Sequence, residues 1–428
     1  MGWGGILVGM IFGWVFAGLL SAGEVGLEPG KGLDGDAELV IRAPEEGNAG
    51  DWCETIFQEM PVLSEGDGFV ERVKLSFLYH HQFVFADGRD RTGRNFSDSL
   101  DENRRFWWGL EGRFGRYFTF KAVSSFSRDL RARGEEWGLG HENFRGANVV
   151  FDAGEAFGLD FVEGLELGYG RRSIRMTDGW RRGAARISTV ERADFSNKMW
   201  PNDEDGSNPL AAWVKVREGI STVDLALVST DEESWLPEWD EGVMAFASWE
   251  GDFSEMSGME VTDVWLAGFY QFAQASEEQL ANGVEWAVVG VNRLEAGRWA
   301  WHHSVGVGEN GGSGERDGLF WGWYTQPMVW LVKERLRLVL RYQYQGSEGK
   351  EGIRLNRRYA RVAADSVPGI DINGGRGDEH HSFYVGLNFS VCGENAKVVS
   401  GVLFESLESD GERVYNGWTT AVGLRVFF

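Results

Sequence analysis

The sequence predicts an all-β fold: a transmembrane antiparallel β-barrel of about 16 strands, with short turns on the periplasmic side and long extracellular loops on the other. Three observations carry this expectation. From Phe69 to Phe428 apolar and polar residues alternate with period two, broken only by loops. The chain is 14% aromatic, with 20 Trp and 60 Gly but 8 Pro, and its mean hydropathy is only -0.30. That combination suits strands with one face in lipid and one in water, edged by aromatic girdles. Lastly, the linkers alternate in length: "FGRY", "LEAG", "LVKE" and "CGEN" are tight, whereas "ADGRDRTGRNFSDSLDEN" and "GSEGKEGIRLNRRYARVAADSVPGIDINGGRGDE" are long and polar.

The elements follow in chain order. Residues 1–23, "MGWGGILVGMIFGWVFAGLLSAG", form an apolar run ending in small residues, as a signal peptide cut near Gly23 does. They lack a basic start, so a retained anchor is the alternative. Residues 24–68 form a periplasmic N-terminal segment rich in Gly and acids, in which "DWCETIFQEM" is expected to make one helical turn. Residues 69–428 form the barrel domain. Its expected strands are 69–86, 104–114, 117–127, 145–153, 161–171, 211–217, 220–229, 241–251, 262–272, 284–293, 297–308, 318–330, 333–345, 380–391, 396–406 and 415–428. Each is about long enough to cross a bilayer at a tilt. With both termini on the short-turn side the number is even, and "GDFSEMSGME" is the one rather long linker on that side.

The last strand, "YNGWTTAVGLRVFF", puts Trp418, Thr420, Val422, Leu424, Val426 and Phe428 on one face. A terminal Phe preceded by apolar residues at two, four and six places resembles the assembly signal of Gram-negative outer-membrane barrels. Phe428 is therefore expected to be read by the barrel assembly machinery, and the chain to reside in the cell outer membrane among lipids and lipopolysaccharide.

Sixteen strands imply a lumen filled by water, hence passage, and what passes is decided by charge at the narrowest point. The net charge of -24, from 66 acidic and 42 basic residues, gives no basis for a nucleic-acid partner. Against that acidity runs "RRSIRMTDGWRRGAARISTVER", with Arg171, Arg172, Arg175, Arg181, Arg182, Arg186 and Arg192 in the third outer loop. Folded inward, these guanidiniums would narrow the channel and bind anions, since Arg stays charged and forks onto oxyanions. The alternative is a solvated basic loop. A second basic row, Arg335, Arg337 and Arg341 in "RLRLVLRYQYQ", alternates with leucines and tyrosines. A charge facing mid-bilayer lipid costs about 2–4 kcal/mol, so these belong to the lumen or the rims.

Several stretches carry a family resemblance. "RRFWWGLEGRFGRYFTFKAVSSFSRD", "GLDFVEGLELGYGRRS" followed by "STVERADFSNKMW", and "HHSFYVGLNFSVCGENAKVVSGVLF" resemble the second hairpin, the fifth strand with third-loop entry, and the penultimate hairpin of the phosphate-selective porin O and P family. The resemblance covers roughly residues 69–428. It implies an anion-selective, usually trimeric outer-membrane porin with arginines on its third loop, matched here by location. "GYGRRS" replaces the family's Gly-Lys pattern and no lysine-rich funnel is found, so it implies small anions more firmly than phosphate; a non-selective or cation-tolerant porin is the alternative.

Cys53 in the N-terminal segment and Cys392 in a tight turn both fall on the periplasmic side, where a disulfide between them is expected. Two free buried thiols are the alternative. No cofactor, metal or catalytic residue is expected. "HHS" at His302–Ser304 and at His380–Ser382, and the pair at His80, offer adjacent histidines that point to opposite faces, with no third triad partner. "NDEDGSN" and "DINGGRGDE" lack the ordered ligand spacing of a calcium loop. A barrel enzyme, and a glycan-binding sandwich that would need several domains, remain the competing classes.

Overall fold

The computed structural model describes residues 53–59, 61–127, 139–201, 208–229, 242–272, 283–311, 314–356 and 358–428. The expected signal peptide and residues 24–52 lie outside them. The chain divides into two units, Met1–Ile56 and Phe57–Phe428. Of the first, only residues 53–56 are described; Thr55–Glu59 makes a single π-helical turn, where one helical turn was expected.

The second unit is a closed antiparallel barrel of sixteen strands. They are β1 Val70–Asp90, β2 Asn95–Phe114, β3 Phe118–Ser127, β4 Leu139–Asp152, β5 Gly164–Arg171, β6 Leu210–Glu218, β7 Ser221–Ser229 and β8 Val243–Asp252, then β9 Val261–Gln271, β10 Val284–Ala296, β11 Trp299–Asn310, β12 Gly318–Val332, β13 Leu336–Ser347, β14 Glu379–Cys392, β15 Ala396–Ser409 and β16 Glu412–Phe427. Every expected strand has its counterpart. Each strand pairs with the next, and β16 pairs with β1 from Phe427 opposite Leu78 to Tyr415 opposite Asp90. Closure leaves no edge with unpaired N–H and C=O groups, which is the condition for strands in hydrocarbon. Among the described residues no helix is long and apolar enough to cross a membrane.

Phe428 completes the seam. Its N–H donates to the Phe77 carbonyl at 3.1 Å and its own carbonyl accepts from the Phe77 N–H at 2.9 Å. Its ring stacks on that of Phe77 at 5.0 Å. Beyond it, the short strand Val62–Glu65 pairs with residues 72–74 of β1 and continues the row that β16 leaves.

The first outer connection differs from expectation. "ADGRDRTGRNFSDSLDEN" is not a long loop: β1 and β2 continue through it, pairing Arg89 with Asn95 across the turn at residues 91–94. Asp90 holds the turn, accepting from Thr92 N and Arg94 N at 2.9 Å each. Polar residues beyond the membrane carry no lipid-facing alternation, so the sequence pattern fades while backbone pairing persists.

The two faces of the wall separate as the period requires. On β13, Arg337, Val339, Arg341, Gln343 and Gln345 are buried, while Leu336, Leu338, Leu340, Tyr342 and Tyr344 form the other row. The outer row is expected to meet lipid, as are exposed Trp301, Val305, Leu266 and Leu424 on other strands. Two loops narrow the interior. The described parts of the third loop, residues 172–201 and 208–209, and of the seventh, residues 348–356 and 358–378, fold inward and build an apolar core against the wall: Ile174, Met176, Phe195 and Met199 pack with Trp213, Phe246, Trp265, Phe320 and Tyr324, and with Ile353, Leu355 and Ala360 of the seventh loop. Burying each of those large side chains stabilises the loop by on the order of 2 kcal/mol.

Candidate functional site

The third loop leaves β5 at Arg171 and carries three short helical turns, Asp178–Arg181, Gly183–Arg186 and Asp194–Lys198. Its fully buried Phe195 and Met199 are admitted by glycines in the wall. A Cβ on Gly322 would come within 2.6 Å of the Phe195 ring, and one on Gly306 within 3.0 Å of Met199 Cε.

Between the helical turns the chain is irregular, and its carbonyls need donors. Arginines of the wall supply them. Arg425 on β16 donates to the carbonyls of Ile187 at 2.6 Å, Thr189 at 2.8 Å and Val190 at 2.6 Å. Arg341 on β13 donates to Glu191 O at 3.0 Å and Thr189 Oγ1 at 3.1 Å, and Asn388 on β14 to Ser188 O at 2.8 Å. A guanidinium has five donors and no acceptor, which suits it to a row of carbonyls. These contacts, with others on β2, β7, β9 and β11, come from around the wall, so the loop lies inside the barrel.

Ion pairs fix its sides. Glu191 meets Arg104 and Arg105, the latter at 3.3 Å. Adjacent strand residues point to opposite faces, yet both reach inward because Arg104 is the extra residue of a bulge: His80 pairs with Arg105 and His81 with Asn103. Asp178 faces His302 at 3.1 Å and Arg293 at 3.6 Å. Burial alone would raise the pKa of either carboxyl. Arg104 and Arg105 hold Glu191 well below the usual range, and His302, Arg182 and Arg293 do so for Asp178. Burial also lowers Arg192 to about 9, opposed by Glu191.

The seven arginines expected at a constriction divide into three groups. Arg172 and Arg181 are neutralised: Arg172 forks onto Asp224 at 3.0 Å twice, and Arg181 pairs with Glu250 and Asp263 beneath the Trp265 ring. Arg171 and Arg192 serve the backbone, Arg171 donating to Asn208 O at 3.1 Å and Arg192 to Gly179 O at 2.8 Å while stacking on Trp180. Arg175, Arg182 and Arg186 make no ion pair with a carboxylate among the described residues, although Arg182 shares a cleft with Asp178 and acts on its charge from there. Arg175 and Arg186 are exposed; Arg182 lies beside His302 Nδ1 and Ser188, in a cleft also lined by Arg192 and Arg341.

Of the second basic row, Arg337 and Arg341 face the interior, Arg337 beside Trp330 and 3.9 Å from Glu295. Arg335 does not belong with them. It sits in the turn before β13, exposed, donating to Val391 O at 3.3 Å. Cys392 ends β14, buried. The histidine pairs split as expected, with His80, His302 and His380 buried and their neighbours on the opposite face. Among the described residues one grouping has the composition and closeness of a metal site, Asp194, His380 and Glu405.

Pattern reasoning missed the wall acids that neutralise two of the seven arginines, the inward role of Arg425 and Arg105, and the seventh loop. That loop docks through Arg358 on Glu102 at 2.8 Å and Tyr359 on Gln82 at 3.3 Å. Arg425 was the one charged residue on the inner row of the last strand, and that alternation was its only signal.

No family model matches the chain, and no curated protein does. Solved structures do. OprB of Pseudomonas putida superposes with a TM-score of 0.53 at 10% identity, over 83% of this chain and 94% of that one. The chain has the barrel fold of the outer-membrane porins. The outer-membrane channel DcaP of Acinetobacter baumannii (TM-score 0.49, 10% identity, 85% of this chain and 99% of that one) and an anion-selective porin from Comamonas acidovorans (0.49, 9%, 83% and 100%) are also similar, too distantly to argue from. At such identities the likeness is one of fold, and the phosphate-selective O and P family gains no support beyond it.

Proposed function

We propose that the chain is an outer-membrane porin through which small anionic solutes, phosphate among the candidates, diffuse passively. One observation carries the reading: inside a closed barrel, the third loop presents Arg175, Arg182 and Arg186 without an ion pair among the described residues, while the arginines beside them are neutralised or turned to the backbone. Unpaired guanidiniums leave a positive potential at a narrow, low-dielectric passage, which concentrates anions and excludes cations. The acidic net charge acts elsewhere, since ions sample the field where the path is tightest.

The remaining parts of the reading belong with it. Residues 1–23 direct export, Phe428 engages the assembly machinery, the outer rows sit among lipids and lipopolysaccharide, and the barrel is a homotrimer. Cys53 and Cys392 form a disulfide; that neither is a free thiol supports this. No chemistry is assigned to the buried histidines.

Liposome swelling tests the function. Proteoliposomes should swell faster in gluconate or phosphate than in a cationic solute of equal size. Equal rates would favour a non-selective porin; no uptake, together with release of fatty acid from the lipid, would favour an enzyme.

A further inference from the structure

Where the third loop meets β13 to β16 it buries a cluster that the anion path does not use. Asp194 opens the loop's last helical turn, and His380 and Glu405 project inward from the paired strands β14 and β15. His380 Nε2 lies 3.8 Å from Asp194 Oδ2 and 3.5 Å from Glu405 Oε1. Nε2 and Oε1 are both buried without a hydrogen-bond partner among the described residues.

Hydrogen-bond accounting places the protons. The Phe195 N–H donates to Gln343 Oε1 at 3.0 Å, so the amide nitrogen of Gln343 is the end turned to His380 Nδ1, at 3.1 Å. The amide nitrogen of Gln345 reaches the same Nδ1 at 3.0 Å. Nδ1 is therefore an acceptor, and a neutral imidazole carries its proton on Nε2, facing the carboxylates. With its lone pair taken, Nε2 has nothing to give a cation, so the cluster is not built as a metal site. A carboxylate oxygen of Asp194 and one of Glu405 lie within 4.8 Å of each other, and both residues are buried. Two like charges buried that close disfavour ionising both, so one of the pair keeps its proton.

We propose that Asp194 and Glu405 share a single proton, and that this proton fastens the third loop to the barrel wall, making the loop's docking pH-dependent. Every charged or titratable group facing the pair fits. His380 comes from β14, with His381 behind it on the outer face; Arg341 comes from β13 and Tyr415 from β16, and Asp87 on β1 lies beyond Tyr415. Arg341 favours one negative charge on the pair, which is why it holds one proton rather than two.

Burial first, then the Glu405 charge, raises Asp194 from 3.8 to about 7. A raised carboxyl binds its proton more tightly in the docked state than in the undocked one. Docking is then fully supported below about pH 4, and that support is lost as pH rises to 7.

The test is hydrogen exchange of peptides spanning residues 190–199 in the full-length barrel between pH 5 and 8.5, corrected for intrinsic rates. In the wild type, protection should fall by up to tenfold per pH unit as pH rises to about 7 and level off above it. Asp194→Asn donates an amide N–H to Glu405 at every pH, so its protection should stay flat; Glu405→Gln serves if that variant does not assemble. A flat wild-type profile overturns the proposal, as does a fall of the same size in the variants. Stoichiometric Zn2+ binding lost in Asp194→Asn would also overturn it, because it requires the other tautomer. Ion selectivity is not read in this test, so its failure leaves the porin reading standing.

Discussion

Replacing Glu191 with Gln should release the middle of the third loop without opening the barrel. The carboxylate is buried between Arg104 and Arg105, and its own peptide carbonyl takes Arg341. Gln keeps the shape and one acceptor but leaves two inward guanidiniums without their counter-charge. Breaking a buried pair by removing one partner costs about 3–5 kcal/mol. The lower end applies, because Gln still accepts one hydrogen bond and Glu102 also acts on Arg104. About 3 kcal/mol is roughly a 150-fold shift of the docking equilibrium. Exchange of peptides over residues 187–193 should speed by about that factor at pH 7.5, while resistance of the barrel to SDS at room temperature is unchanged. The anchor also has an acid side. Because Glu191 is held well below its ordinary value, its support is present at neutral pH and lost as pH falls below the usual carboxylate range, opposite in sign to Asp194. Unchanged exchange in Glu191→Gln would refute the view that wall arginines hold the loop through this carboxylate.

Three further outcomes follow from the same geometry. Phe428→Ala removes a stacked pair worth about 0.5–1.5 kcal/mol and the last side chain of the seam, so the heat-modifiable, assembled fraction in membranes should drop; unchanged assembly would remove Phe428 from the signal. Glu250→Gln leaves Arg181 with Asp263 alone and should move the reversal potential further toward chloride. Purified protein should resist maleimide labelling at Cys53 and Cys392 until it is reduced, and labelling without reductant would exclude the disulfide.

The barrel was legible because lipid imposes a rule on every crossing strand. On β13 the leucines and tyrosines must face out, so Arg337 and Arg341 must face in, and the sequence alone says so. The rule stops at the membrane edge. There β1 and β2 run on as a hairpin through residues that alternation cannot sort, and Arg335, two residues from Arg337, falls in the turn instead of the wall. The third loop was found by its arginines, but their partners were not. Asp224, Glu250 and Asp263 lie on three different strands, and nothing local in the sequence says that Arg172 and Arg181 would be spent on them. The same holds for the seventh loop, whose Arg358 and Tyr359 find Glu102 and Gln82 more than 250 residues away. The bulge at Arg104 is a one-residue slip in pairing, invisible until the partner strand is in register.

The central claim is that third-loop arginines outside any ion pair among the described residues set an anion preference against an acidic chain, and the reversal potential in a planar bilayer under a KCl gradient tests it most directly. A unit charge passing about 4 Å from a guanidinium in water gains about 1 kcal/mol, close to fivefold in local concentration. The wild-type channel should reverse toward chloride, and a channel carrying Arg175→Gln, Arg182→Gln and Arg186→Gln together should lose most of that preference. A cation-selective wild type, or a triple variant that reverses where the wild type does, would contradict the account.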